Sequence, residues 1–169
     1  TKITGITNQM VADKPHEKEI LNDLISFIGE DPLVAHNINF DKNFLDSLFR
    51  RYQKELNKSA MYDTLQLARC LAFGEAVFNL GSISEYFGLS SSGSHRAEKD
   101  TENCGEIFLY LIEELASYPL EIITKVLSLM KKTNLPNKNL FNDMASLMSS
   151  KGVLDGSLAH SKLEKNLKP

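Results

Sequence analysis

Apolar residues recur at intervals of three and four along most of this chain, with short unbroken apolar runs between those stretches. Ile20, Leu21, Leu24, Ile25 and Ile28 make one stripe at helical spacing, which predicts a helix over residues 16–28 that Gly29 and Pro32 close. Leu33-Val34-Ala35 is a short apolar run of the kind that forms a buried strand, taken to extend to residue 36. Helical period returns from Asp41 to about Tyr52, with Phe40, Phe44, Leu45, Leu48, Phe49 and Tyr52 on one face. Ala60-Met61-Tyr62 reads as a second strand, and Asp63-Thr64 is a natural N-cap for a helix carrying Leu65, Ala68 and Leu71. A short helix is predicted from Ser82 to Phe87, closed by Gly88, and the Ser-Ser-Ser-Gly-Ser run at 90–94 is a polar loop. The clearest helix follows, with Ala97, Thr101, Cys104, Phe108, Leu111 and Leu115 stepping by three and four until Pro119.

Short apolar strands alternating with helices indicate an α/β layered domain around a buried sheet. Two strands make too narrow a sheet for this many helices, so further strands are expected ahead of Thr1. The character changes after Pro119. Leu120, Ile123, Leu127 and Met130 form one amphipathic set, and Leu140, Phe141, Met144, Leu147 and Met148 another, separated by a polar stretch containing Pro136. Residues 1–118 are read as one domain. Residues 119–169 are read as a helical tail or linker that could bind a partner, with the alternative that its first helix packs on the domain.

At 169 residues, with 42% hydrophobic and 24% charged side chains, the composition is that of a soluble globular protein. No apolar run approaches the ~20 residues that span a bilayer, and the opening Thr1-Lys2-Ile3 is not that of a signal peptide. Cys70 and Cys104 lie in apolar helical patterns, which favours buried free thiols and a cytoplasmic protein over a disulfide. The net charge of −3 argues against broad adhesion to nucleic acid. Residues 1–115 carry 11 basic and 18 acidic side chains, whereas residues 116–169 carry 8 lysines and 4 acids. An acidic body can still take a nucleic-acid end if bound metal ions supply positive charge, which suits a short grip on a strand terminus.

The candidate chemistry lies in two segments. Asp41 follows the first strand, where α/β sheets place their ligands. His95 precedes Asp100 by five residues, about 140° apart around a continuous helix, so the pair can share a site only if His95 lies in the loop before the helix. Carboxylates at 41 and 100 could hold hard cations such as Mg²⁺ or Mn²⁺, with His95 as general base for phosphodiester hydrolysis. The same residues also suit plainer roles: Asp41 and Asp100 as first-turn acids favoured by the helix dipole, and His95 as a surface histidine.

The order of these segments narrows the choice. Val34-Ala35-His36-Asn37-Ile38-Asn39-Phe40-Asp41 resembles the second motif of the DEDDh family of 3′→5′ exonucleases, and His95, Ala97 and Asp100 resemble the third. Ile3-Thr4-Gly5-Ile6-Thr7 resembles the turn ahead of the second motif, and Tyr62-Asp63-Thr64-Leu65 through Ala68-Arg69 the segment between them. The resemblance covers roughly residues 1–115 and implies a ribonuclease H-like layered fold, with a mixed central sheet flanked by helices. It implies metal-dependent release of nucleoside monophosphates from a 3′ end of DNA, in proofreading or repair, with two Mg²⁺ or Mn²⁺ ions. On this resemblance Asp100 binds a catalytic metal, Asp41 supports the second, and His95 is the base. Ile3, Thr4, Gly5 and Phe40 hold the terminal nucleotide, and Asn37 neighbours the site.

The implied substrate is a single-stranded 3′ end of DNA, with RNA open, and the implied partner a polymerase or helicase bound through the C-terminal segment. The family's first motif, an Asp-x-Glu, has no counterpart in these residues. Asp63 as a substitute competes with its capping role. The expectation is that further residues carrying Asp-x-Glu precede Thr1 in the natural protein and that the 169 residues alone are not a competent enzyme. An RNA-trimming enzyme of the same fold, and an inactive DEDDh-like binding module, are the other readings.

Overall fold

The structure is a computed structural model that describes residues 5–56, 60–72, 74–90 and 97–150. A short helix α1 (Asn8–Val11) precedes α2 (Glu17–Ile28), β1 (Leu33–Ala35), α3 (Ile38–Arg51) and β2 (Met61–Asp63). Then come α4 (Thr64–Leu71), α5 (Leu80–Tyr86), α6 (Ala97–Ser117), α7 (Leu120–Met130) and α8 (Lys138–Ser150). The strands pair in parallel, Leu33 opposite Met61 and Ala35 opposite Asp63, with α3 as the crossover that parallel pairing requires. Their C-terminal ends therefore lie side by side, which brings His36-Asn37 next to Asp63-Thr64.

Two apolar clusters hold these elements. The smaller joins Leu21 of α2 to Leu48 and Phe49 of α3, with Leu24, Ile25, Ile28, Tyr52 and Leu56 packed around them. The larger gathers Leu67, Ala68 and Leu71 of α4, Ile83 of α5, and Ile107, Leu111 and Leu115 of α6. It also takes in Ile123, Met130, Leu140, Phe141 and Met144, so the α7–α8 segment, expected as a helical tail or linker, shares its core with α4 and α6. Residues 151–169 lie outside the described residues. No helix among the described residues is long and apolar enough to cross a membrane.

Several expectations need correction. Helix α3 begins at Ile38 rather than Asp41 and turns Phe40 and Phe44 outward, 72% and 64% exposed, leaving Leu48 and Phe49 as the buried end of its stripe. On α6 the buried line runs through Asn103, Cys104, Ile107, Leu111 and Leu115. Thr101 is exposed, and Phe108 packs at the margin, stacked on Tyr62 with ring centroids 5.5 Å apart. A polar residue enters that line because the Asn103 amide donates to Ser84 Oγ at 3.2 Å and to the Ser90 carbonyl at 3.1 Å. Both cysteines are free, but Cys70 is exposed and only Cys104 is buried.

Candidate functional site

The turn that leaves β1 is the starting point. Asn37 has φ 71° and ψ 57°, the left-handed region that asparagine tolerates better than most side chains. Its backbone N–H donates to Asp63 Oδ1 at 3.0 Å. The same oxygen accepts from the N–H groups of Leu65 at 2.9 Å and Gln66 at 3.4 Å, capping α4. One buried carboxylate thus ties the turn after β1 to the helix after β2. Capping occupies Asp63, the residue that competes for a metal role.

Beside it, Thr64 is fully buried and its hydroxyl lies 2.9 Å from His36 Nδ1. His36 Nε2 lies 2.7 Å from the Phe78 carbonyl, which can only accept, so this nitrogen carries the proton. In the neutral ring, Nδ1 then accepts from the Thr64 hydroxyl. Cys104 Sγ sits 3.7 Å from Thr64 Oγ1 and brings α6 to the same place.

Asp41 is in the first turn of α3 and Asp100 in the first turn of α6. Partial desolvation pushes the Asp41 carboxyl above its usual pKa and the Asp63 charge adds to this, while a hydrogen bond from its own backbone N–H opposes it. Burial likewise raises the Cys104 thiol, against the Thr64 hydrogen bond, and the negative charges of both Asp41 and Asp63 add to the rise. Asp100, half-buried, lies one turn before Cys104 on the same side of α6. Asp41 and Asp100 are thus carried on two helix starts, α3 directly after β1 and α6 one turn ahead of Cys104.

Gly5 has φ +70°, with nothing within 4 Å of an added Cβ, so its left-handed backbone rather than crowding is what suits glycine to this position. Phe40 faces solvent beside Asp41. His95, Ile3 and Thr4 lie outside the described residues.

Comparison with known proteins settles the family. The description "Exonuclease" matches residues 1–108. The chain belongs to the exonuclease family. It is 35% identical over 114 residues to the DNA polymerase III subunit epsilon of Aquifex aeolicus, covering 68% of this chain and 56% of that protein. The match to the epsilon subunit of Treponema pallidum is also 35% over 114 residues, covering 66% and 53%. A PolC-type DNA polymerase III of Caldanaerobacter subterraneus is 31% identical over 140 residues, covering 83% of this chain and 10% of that protein. The chain spans about half the length of the epsilon subunits it matches.

The epsilon-like DEDDh resemblance stands on these matches, and the fold of this exonuclease domain is the ribonuclease H-like α/β type. Exonucleases of this type generally depend on divalent metal ions. The oxygen donors of Asp41 and Asp100 have the right chemistry for a hard cation, and Asp41 is a partly desolvated carboxylate that feels the negative charge of Asp63. Among the described residues no group of three or more His, Cys, Asp or Glu side chains is gathered to hold a metal.

Sequence reasoning missed His36, Thr64 and Asn137 as parts of this region. His36 and Thr64 carried a faint signal, each being the polar residue that directly follows a strand. Asn137 carried none, since its partner Asp63 lies 74 residues away in the chain.

Proposed function

We propose that this exonuclease domain hydrolyses phosphodiester bonds at the single-stranded 3′ end of DNA, with two Mg²⁺ or Mn²⁺ ions, and releases nucleoside monophosphates. The observation that supports the reading is that α3 opens directly after β1, while Cys104 of α6, one turn from Asp100, lies 3.7 Å from Thr64 Oγ1 at the end of β2. In this reading Asp41 and Asp100 anchor the ions, whose charge would offset that of the phosphodiester. His95 takes the proton from the attacking water as the new P–O bond forms, and the departing 3′ oxygen leaves with a proton from solvent. Phe40, exposed beside Asp41, offers its ring face to the terminal base, and the motif resemblance adds Ile3, Thr4, Gly5 and Asn37 as substrate-binding residues. The DNA polymerase III relatives favour DNA over RNA, a proofreading or repair role in the cytoplasm, and a polymerase as partner.

The other reading of the same residues is a DEDDh-like binding module without turnover. Both are tested with matched DNA and RNA oligonucleotides, 5′-labelled and with free or blocked 3′ ends, in Mg²⁺, Mn²⁺ or EDTA. The expected result, with the chain extended to supply Asp-x-Glu, is a ladder shortened one nucleotide at a time from free 3′ ends of DNA, abolished by EDTA. Preference for RNA would move the assignment to an exoribonuclease. Binding of the 3′ end without hydrolysis, including by a chain extended to supply Asp-x-Glu, would establish the binding module.

A further inference from the structure

Asp63 is 2% exposed and stands opposite Ala35 of β1, but its backbone N–H and C=O are turned to the other side of β2, where no further strand lies among the described residues. Asn137, in the connection between α7 and α8, takes that place. Its Oδ1 accepts from the Asp63 N–H at 2.8 Å, and its Nδ2 donates to the Asp63 carbonyl at 2.9 Å. Asn137 is itself 2% exposed. A planar primary amide is the side-chain group that copies a peptide unit in this way, offering one acceptor and a donor side by side. Aspartate would set a second acceptor against the carbonyl, and alanine would leave both backbone groups without partners.

The consequence reaches the site through Asp63. The same residue whose backbone Asn137 holds uses its carboxylate to hold the Asn37 N–H and the first turn of α4. Asn37 in turn starts α3, which presents Phe40 and Asp41 in its first turn. We propose that Asn137 is a positioning residue for the site: standing in for a strand beside Asp63, it sets the turn from which Asp41 and Phe40 are presented. The proposal rests on reading Asp41 as part of the site. It makes the α7–α8 pair a support of the chemistry and not only a contributor to the core.

The test compares wild type with Asn137→Ala and Asn137→Asp, using residue-resolved hydrogen exchange, Mn²⁺ affinity from paramagnetic broadening at Asp41, and steady-state hydrolysis. In Asn137→Ala the Asn37 amide should exchange about tenfold faster or more, the factor expected when buried backbone groups lose their partners, while α7 and α8 stay protected. Mn²⁺ affinity at Asp41 should weaken, kcat should fall, and KM should rise because Phe40 leaves from the same turn. Asn137→Asp keeps the bond to the Asp63 N–H and should fall between the two, and it carries the test if the alanine variant does not fold. Unchanged exchange at Asn37 in a folded variant overturns the proposal, as does faster exchange with Mn²⁺ affinity at Asp41 unaltered. Failure of the nuclease reading shows separately, as absence of turnover in wild type extended to supply Asp-x-Glu, and leaves the exchange and Mn²⁺ comparisons decisive for Asn137.

Discussion

Asp100→Ala should lower metal-dependent hydrolysis by ~10²-fold or more, the scale on which positioned groups of an active site contribute, with Asp41→Asn losing a comparable factor. The two variants should keep their fold, and Asp41→Asn provides the control. Burial raises the folded-state pKa of Asp41, so the folded chain holds that proton more tightly than the unfolded chain does. The stability this contributes is present below the ordinary carboxylate range and is lost as pH rises through the raised value. In chelator-treated protein at neutral pH, Asp41→Asn should therefore melt at or above the wild-type temperature, with the difference vanishing at acid pH where both side chains are neutral. A variant more stable and less active separates function from folding. Normal turnover by Asp100→Ala, or a lower Tm for Asp41→Asn at neutral pH, would remove these residues from the roles given to them.

Phe141→Ala should be the most damaging single substitution for stability. Phe141 is 4% exposed in α8 and belongs to the same cluster as Leu67, Ile107 and Leu111. Truncating a buried phenylalanine costs about 3–5 kcal/mol, against about 5–15 kcal/mol for a whole domain. Because the cluster is continuous from α4 through α8, the loss should appear as one cooperative transition shifted to lower denaturant, read together by circular dichroism and by protection of α6 amides. If α8 melted alone while α4 and α6 kept their midpoint, residues 120–150 would be an independent unit.

The sequence conveyed local structure well and partners poorly. The two strands, read at 33–36 and 60–62 and found at 33–35 and 61–63, the Asp63 cap and the glycine stop at Gly29 were all legible, because each depends on residues within one turn of one another. The family was legible from the order of two motifs, since spacing survives where identity is diluted. What each stripe packs against was not legible. The periodicity of α7 and α8 was plain, yet nothing in it pointed to Ile107 and Leu111 as partners. The outward turn of Phe40 and Phe44 was hidden for the related reason that periodicity does not say which neighbour a helix packs on, and α3 buries Ile38, Leu48 and Phe49 instead. Within the site, Asp41 and Asp100 were found by motif, whereas the His36–Phe78 and Asn137–Asp63 bonds join residues 42 and 74 apart and exist only once the chain has folded.

The central claim is that Asp41 and Asp100 belong to one metal site, and Mn²⁺ titration of ¹⁵N-labelled protein tests it without relying on turnover. The amide signals of Asp41 and Asp100 should broaden together over the same range of Mn²⁺, with Cys104 following, and Asp100→Asn should weaken the broadening at Asp41. Broadening at one aspartate without the other, or confined to acids elsewhere on α6 such as Glu113 and Glu114, would contradict the account.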